Sequence, residues 1–171
     1  MHILLATDAD WIVDEVVAAL GDDDVRFTVC RDGRAVAGQV AASTPDLAIL
    51  DLQVGSMGGM AVTMDLRLDE SSGALPHVPV LMLLDRRADV HLGRRCGAEG
   101  WLIKPLDALR LRRAAEAIAN GGRYTEGVPP GLSDVDAMVP LPDAGNGTYV
   151  PIDMAEEQPV EPAEEEPATA G

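Results

Sequence analysis

Between residues 1 and 120, short apolar runs and stretches of helical periodicity alternate five times. The apolar runs at 2–6, 25–30, 47–51, 78–84 and 100–103 predict buried strands, and the stretches at 10–20, 33–43, 60–70, 87–97 and 107–120 predict helices. In the first helix Ile12, Val16, Val17 and Leu20 are expected on one face, with Asp10 as the N-cap and Gly21 just past the end. Strands that alternate with helices imply a parallel sheet covered by helices on both sides.

Five such units fit an α/β, doubly wound five-stranded sheet of flavodoxin-like order 2-1-3-4-5. The functional crevice of that arrangement lies beyond the carboxyl ends of the strands. Asp8, Asp51, Asp85 and Lys104 all fall at or just after those ends. Their convergence is the main bottom-up reason to expect a site there.

From Thr125 the pattern breaks down. Eight of the twelve prolines occur here, and residues 155–171 are almost entirely Ala, Glu and Pro, too polar to offset chain entropy by burial. The expected organisation is a domain over 1–124 and an acidic, Pro-rich extended tail over 125–171. Charge divides the same way: 1–124 carries a net -5 and 125–171 a net -11, with no Lys or Arg in the second part. Two apolar islands interrupt the tail, one with Met138, Val139 and Leu141, the other with Tyr149, Val150 and Ile152. Their prolines reduce the entropy lost on binding, so they are candidate docking anchors.

The acidic balance argues against nucleic acid or anionic lipid as a general partner. A tail without Lys or Arg is not expected to form a DNA-reading helix. No apolar run is long enough to span a bilayer, and the start lacks the features of a signal peptide. Cys30 and Cys96 lack metal-ligand spacing and read as buried, reduced thiols. A cytoplasmic protein is expected. Gly55, Gly58 and Gly59 do not match a P-loop, and His2, His77 and His91 read as surface or partly packed residues. Residues 86–113 hold eight basic residues against three acids, which makes either a solvated basic face or an interaction surface.

The stretches Ile3–Asp10, Pro45–Gly59, Val78–Asp85 and Gly97–Pro105 resemble a response-regulator receiver domain, the phosphoacceptor module of two-component signalling. Pro45-Asp46-Leu47-Ala48-Ile49-Leu50-Asp51-Leu52 resembles its third strand, and Gly97-Ala98-Glu99-Gly100-Trp101-Leu102-Ile103-Lys104-Pro105 its fifth. The resemblance implies that Asp51 accepts a phosphoryl group and that Lys104 acts as a point charge on the phosphoryl oxygens. It implies that Asp8, Asp51 and the Gln53 backbone carbonyl hold Mg²⁺. It also implies a cis Lys104-Pro105 peptide and places Trp101 at the family's aromatic position.

Two positions depart from the family pattern. Receivers carry adjacent acids after the first strand, and here Thr7 precedes Asp8. The lost carboxylate implies weak Mg²⁺ binding, by about 10–100-fold on the scale of outer-shell losses. Leu84 stands where the family places Thr or Ser, so the hydroxyl that draws the loop toward a phosphoryl group is missing. A hydrogen bond to a charged group contributes about 1.5–3 kcal/mol, against about 5.5 for a near-complete two-state switch. Asp8, Asp51 and Lys104 then read either as a weakened phosphoacceptor site or as an inherited ion cluster holding strand ends in register.

The leading expectation is a non-catalytic protein acting by protein–protein interaction, a constitutive accessory subunit of a larger assembly. Within high-GC actinobacteria, which the Arg-rich composition suggests, the chain resembles a receiver-like protein found with respiratory complex I, the proton-pumping NADH dehydrogenase. That likeness implies complex I subunits as partners and a place at the inner face of the plasma membrane, held there by protein contacts. The alternative is a single-domain response regulator phosphorylated on Asp51 by a histidine kinase. A third reading has the acidic tail folding onto the basic 86–113 face.

Overall fold

The computed structural model describes residues 1–127. Strands and helices alternate as β1 (His2–Ala6), α1 (Asp10–Leu20), β2 (Arg26–Cys30), α2 (Val36–Ala42), β3 (Leu47–Asp51), α3 (Gly59–Ser72), β4 (Val80–Leu84), α4 (Val90–Arg95), β5 (Gly100–Ile103), α5 (Ala108–Ala119) and β6 (Tyr124–Thr125). The sheet is parallel throughout, in the order β2-β1-β3-β4-β5-β6. The expected order 2-1-3-4-5 is therefore present, with a sixth strand added beside β5. The expectation of five strands is corrected on that point.

Every residue of β1, β3 and β4 is buried. Successive side chains point to opposite faces of a strand, so both faces of these strands are covered and their runs are apolar without a break. Ile3, Leu5, Ile49 and Leu83 pack with Ile12 and Val16 of α1 and Leu111 and Ile118 of α5. Leu4, Leu50, Met82 and Trp101 pack on the other side with Val36 and Val40 of α2 and Val62 and Leu66 of α3. Two cores result, one on each face of the sheet.

Element ends follow local chemistry. Pairing in β4 starts at Val80, two residues later than expected, because Pro79 has no backbone N–H to give. The stretches expected as helices at 33–43 and 87–97 each open with a 3₁₀ turn, Gly33–Ala35 and Arg87–Asp89, before α2 and α4. The Asp107 carboxylate accepts from Leu109 N and Arg110 N and caps α5. In α1 the N-cap is Ala9, and Asp10 is the first helical residue without a capping hydrogen bond, which corrects the expected cap. Gly21 does follow the helix, its N–H donating to the Val17 carbonyl. Val17 itself is exposed, and Ala19 takes the expected place on the buried face. At roughly 100° per residue Val17 lies about 140° round from Ile12.

The sixth strand is two residues long and pairs Tyr124 and Thr125 with Gly100 and Trp101. A Cβ at Gly100 would collide with the Tyr124 carbonyl, so the glycine is what lets this strand close on the edge of β5. Strand pairing thus continues one residue beyond the boundary expected at 124. The tail anchors Met138, Val139, Leu141, Tyr149, Val150 and Ile152 lie outside the described residues. Among the described residues, no helix is long and apolar enough to cross a membrane.

Candidate functional site

The carboxyl ends of β3, β4 and β5 bring three charged side chains to one point. Asp51 is the last residue of β3, with only 2% of its side chain exposed. Lys104 follows β5 and reaches back over the rim, its Nζ donating to Asp51 Oδ1 at 2.7 Å and to Asp85 Oδ1 at 2.8 Å. The Lys104-Pro105 peptide is cis, as expected. The Gln53 N–H also donates to Asp51 Oδ1, at 3.2 Å. Thr7 Oγ1, fully buried, donates to Asp51 Oδ2 at 2.9 Å and accepts from Ala9 N at 3.2 Å.

Asp51 thus accepts three hydrogen bonds from three different segments. Burial by itself pushes the Lys104 pKa down, but the hydrogen bonds and charges of Asp51 and Asp85 outweigh it and hold the ammonium above its ordinary value. The Lys104 ammonium also lies 5.8 Å from the centroid of the Trp11 ring, within cation–π range.

Asp8 is exposed, and its carboxylate borders Gly55 in the loop after β3. Asp8, Asp51 and the Gln53 carbonyl are hard oxygen donors of the kind Mg²⁺ takes, and Mg²⁺ commonly uses one or two carboxylates with water. The donor set fits that ion sparsely. Thr7 stands where a further acid would, and among the described residues no group of three or more His, Cys, Asp or Glu is placed to hold a metal.

The flank beside this rim is filled differently. Leu84, the last residue of β4, is fully buried and packs in the core with Trp101 and Val90. Trp101 is also fully buried, and its Nε1 donates to the Glu126 carbonyl at 2.7 Å. The Glu126 carboxylate accepts from Ile103 N at 3.0 Å and from Arg110 Nε at 2.7 Å. Arg110 additionally donates to the Ile103 and Pro105 carbonyls. The hydrogen bond to Glu126 is the main cause holding the Arg110 guanidinium above its ordinary pKa. A Cβ at Gly93 of α4 would lie 3.0 Å from Trp101 Cε3, so the glycine lets that helix lie against the ring without the indole having to shift.

Of the expected site residues, the structure brings Asp51 and Lys104 into direct contact and sets Gln53 against Asp51. Asp8 stands at the same rim, and Leu84 and Trp101 share the adjoining core. Four contributors escaped the sequence reading. Asp85 was seen to fall at the rim, but its hold on Lys104 was not. Trp11 looks like an ordinary exposed helix residue. Gly93 and Glu126 act through Trp101, eight and twenty-five residues away, and no local pattern marks them.

Comparison with known proteins agrees with this geometry. The family model described as the response regulator receiver domain matches residues 3–116. The chain belongs to that family. It is 34% identical over 134 residues to the transcriptional regulatory protein CseB of Streptomyces coelicolor, covering 74% of this chain and 55% of that one. It is 28% identical over 141 residues to the DNA-binding response regulator MtrA of Mycobacterium leprae, covering 81% of this chain and 60% of the relative. The chain therefore spans little more than half the length of these relatives. Among solved structures, the receiver domain of a signal transduction histidine kinase from Syntrophus aciditrophicus superposes with a TM-score of 0.62 at 23% identity, over 77% of this chain and 98% of that one. That likeness shows the fold.

Proposed function

We propose that this receiver-family chain acts by binding another protein, turns over no substrate, and serves as a constitutive accessory part of a larger assembly. The observation that carries this reading is the filling of the switch flank. Leu84 offers no donor to an incoming phosphoryl group, and Trp101 beside it is tied to Glu126. A surface whose movable parts are filled in this way presents one stable face, which suits a permanent contact. The receiver core and the 125–171 tail both contribute to docking, the tail through its apolar islands.

We place the partner among proteins on the inner side of the plasma membrane. The tail's 11 acids and absence of Lys or Arg disfavour a phosphate backbone. Respiratory complex I is the first assembly to test, on the likeness given above. The test is purification of the assembly from native cells under gentle detergent, with the ratio of this chain to the complex I subunits measured. A near one-to-one ratio supports the reading, and complex I that is intact and lacks this chain overturns that assignment.

A second reading is favoured by the contact of Lys104 with Asp51 at 2.7 Å. Here a histidine kinase phosphorylates Asp51: the N–P bond of its phosphohistidine breaks and a bond from an Asp51 oxygen to phosphorus forms. Asp8, Asp51 and the Gln53 carbonyl would hold Mg²⁺, which supplies positive charge for the transferred group. Lys104 would carry the remaining countercharge, and Thr7 would orient the carboxylate through Oδ2. Intact-mass measurement with a small phosphodonor and Mg²⁺ tests this reading, and an adduct that survives Asp51→Asn would contradict it.

A further inference from the structure

We propose that Asp85 is a resident counter-ion that competes with a phosphoryl group on Asp51 for Lys104. The inference rests on the reading of Asp51 as a phosphoacceptor and names a positioning residue for it.

The argument begins with the donors of one ammonium. Lys104 Nζ has three N–H groups. Two are directed to carboxylates, at 2.7 Å to Asp51 and 2.8 Å to Asp85. The Trp11 ring stands to one side of the same nitrogen. With 12% of its side chain exposed, Lys104 has little water to exchange partners with. Lys104 is also the only lysine in the chain, so no second ammonium can take its place.

A phosphoryl group on Asp51 brings about -1.5 to -2 charges and three acceptor oxygens to this point. It needs the donors of Lys104, and Asp85 already holds one. If Lys104 stays with Asp85, the Asp85 carboxylate is kept beside the phosphoryl oxygens, and like charges at that range disfavour each other. If Lys104 leaves, Asp85 loses its partner. Either way Asp85 opposes the charged product and steadies the lysine in its absence. Asp85 is a third exposed and directly follows the fully buried Leu84, so it can turn to solvent without disturbing the core.

The test uses the full chain, phosphoramidate as phosphodonor, and Mg²⁺. In that reaction the P–N bond breaks, an Asp51 oxygen binds phosphorus, and the nitrogen leaves as ammonia after taking up a proton. Asp85→Asn keeps the shape and removes the charge, and Asp85→Ser serves as a second variant should the first fold poorly. The adduct should form about tenfold faster in the variant, the scale of one charge-assisted hydrogen bond. A second readout is acetylation of Lys104 by a small active ester, followed by peptide mass, and it should also accelerate. An adduct that forms no faster, or Lys104 acetylation that does not change, overturns the proposal. If acetylation accelerates and neither chain forms an adduct, phosphoacceptance by Asp51 fails and the competition falls with it. The lysine readout tells these failures apart.

Discussion

The rim at Asp51 and the flank at Trp101 share strands β4 and β5, yet their side chains are held on different terms. At the rim, charged groups meet and remain partly open: Lys104 and Asp85 touch solvent, and Asp8 is exposed. Apart from the Trp11 ring beside Lys104, the contacts there are polar. On the flank, Leu84 and Trp101 are fully buried, α4 lies against the indole at Gly93, and Glu126 closes the far side. Acceptance of a phosphoryl group requires the first region, whereas a surface change in response to it requires the second. On the account proposed here, the chain keeps the means to hold charge at Asp51 and has filled the space through which that charge would move anything.

Asp51→Asn gives the largest expected effect, because it removes the proposed phosphoacceptor. Any adduct from phosphoramidate should vanish in the mass spectrum while the fold remains. The comparison breaks if the adduct persists, since some other residue would then be the acceptor. Next in size is Glu126→Ala, which removes the carboxylate that Arg110 and Ile103 N share. A hydrogen bond to a charged group contributes about 1.5–3 kcal/mol, so denaturant unfolding should show a loss of about 2 kcal/mol. Acrylamide quenching of Trp101, read in a Trp11→Phe background, should rise. If quenching is unchanged, Glu126 does not hold the flank closed.

Leu84→Thr sharpens the contrast by returning a hydroxyl to the boundary between the two regions. A buried hydroxyl without a partner costs about 1–3 kcal/mol, so the unmodified variant should be less stable. Phosphodonor should recover part of that loss in the variant and none in the parent chain, as read by thermal unfolding. Equal recovery in both would place the switch elsewhere.

The smallest effect is a dependence on alkaline pH. Lys104 is held above its ordinary value in the folded chain. The folded state therefore binds the proton more tightly than the unfolded state does. The stabilisation is fully present below the unfolded value of about 10.4 and is lost as pH rises through the higher folded value. Unfolding curves across that range, with Lys104→Met subtracted, should show a decline that begins near the unfolded value. A difference that grows with pH would reverse the sign and contradict the pairing.

Much of this contrast can be read from residues alone, and the unread part has a common cause. The uninterrupted apolar runs of β1, β3 and β4 reveal strands buried on both faces, and an acid or Lys-Pro at a strand end points to the rim. Asp51 and Lys104 were legible for that reason, as was the missing hydroxyl at Leu84. The strand at Tyr124–Thr125 was not, because two residues carry no periodicity. Val17 was misassigned because apolar character does not fix which side of a helix faces the sheet when Ala19 can fill the same place. Asp85, Trp11 and Glu126 act through contacts spanning sixteen or more residues, which only the folded chain brings together.

The most direct measurement is the recovery of partner proteins from native cells with tagged parent chain and with Asp51→Asn, in parallel and by quantitative mass spectrometry. The account predicts the same partners in the same ratio from both, since the binding face does not depend on charge added at Asp51. Loss of the partner from Asp51→Asn would mean that the rim does command the surface, and the constitutive reading would be wrong.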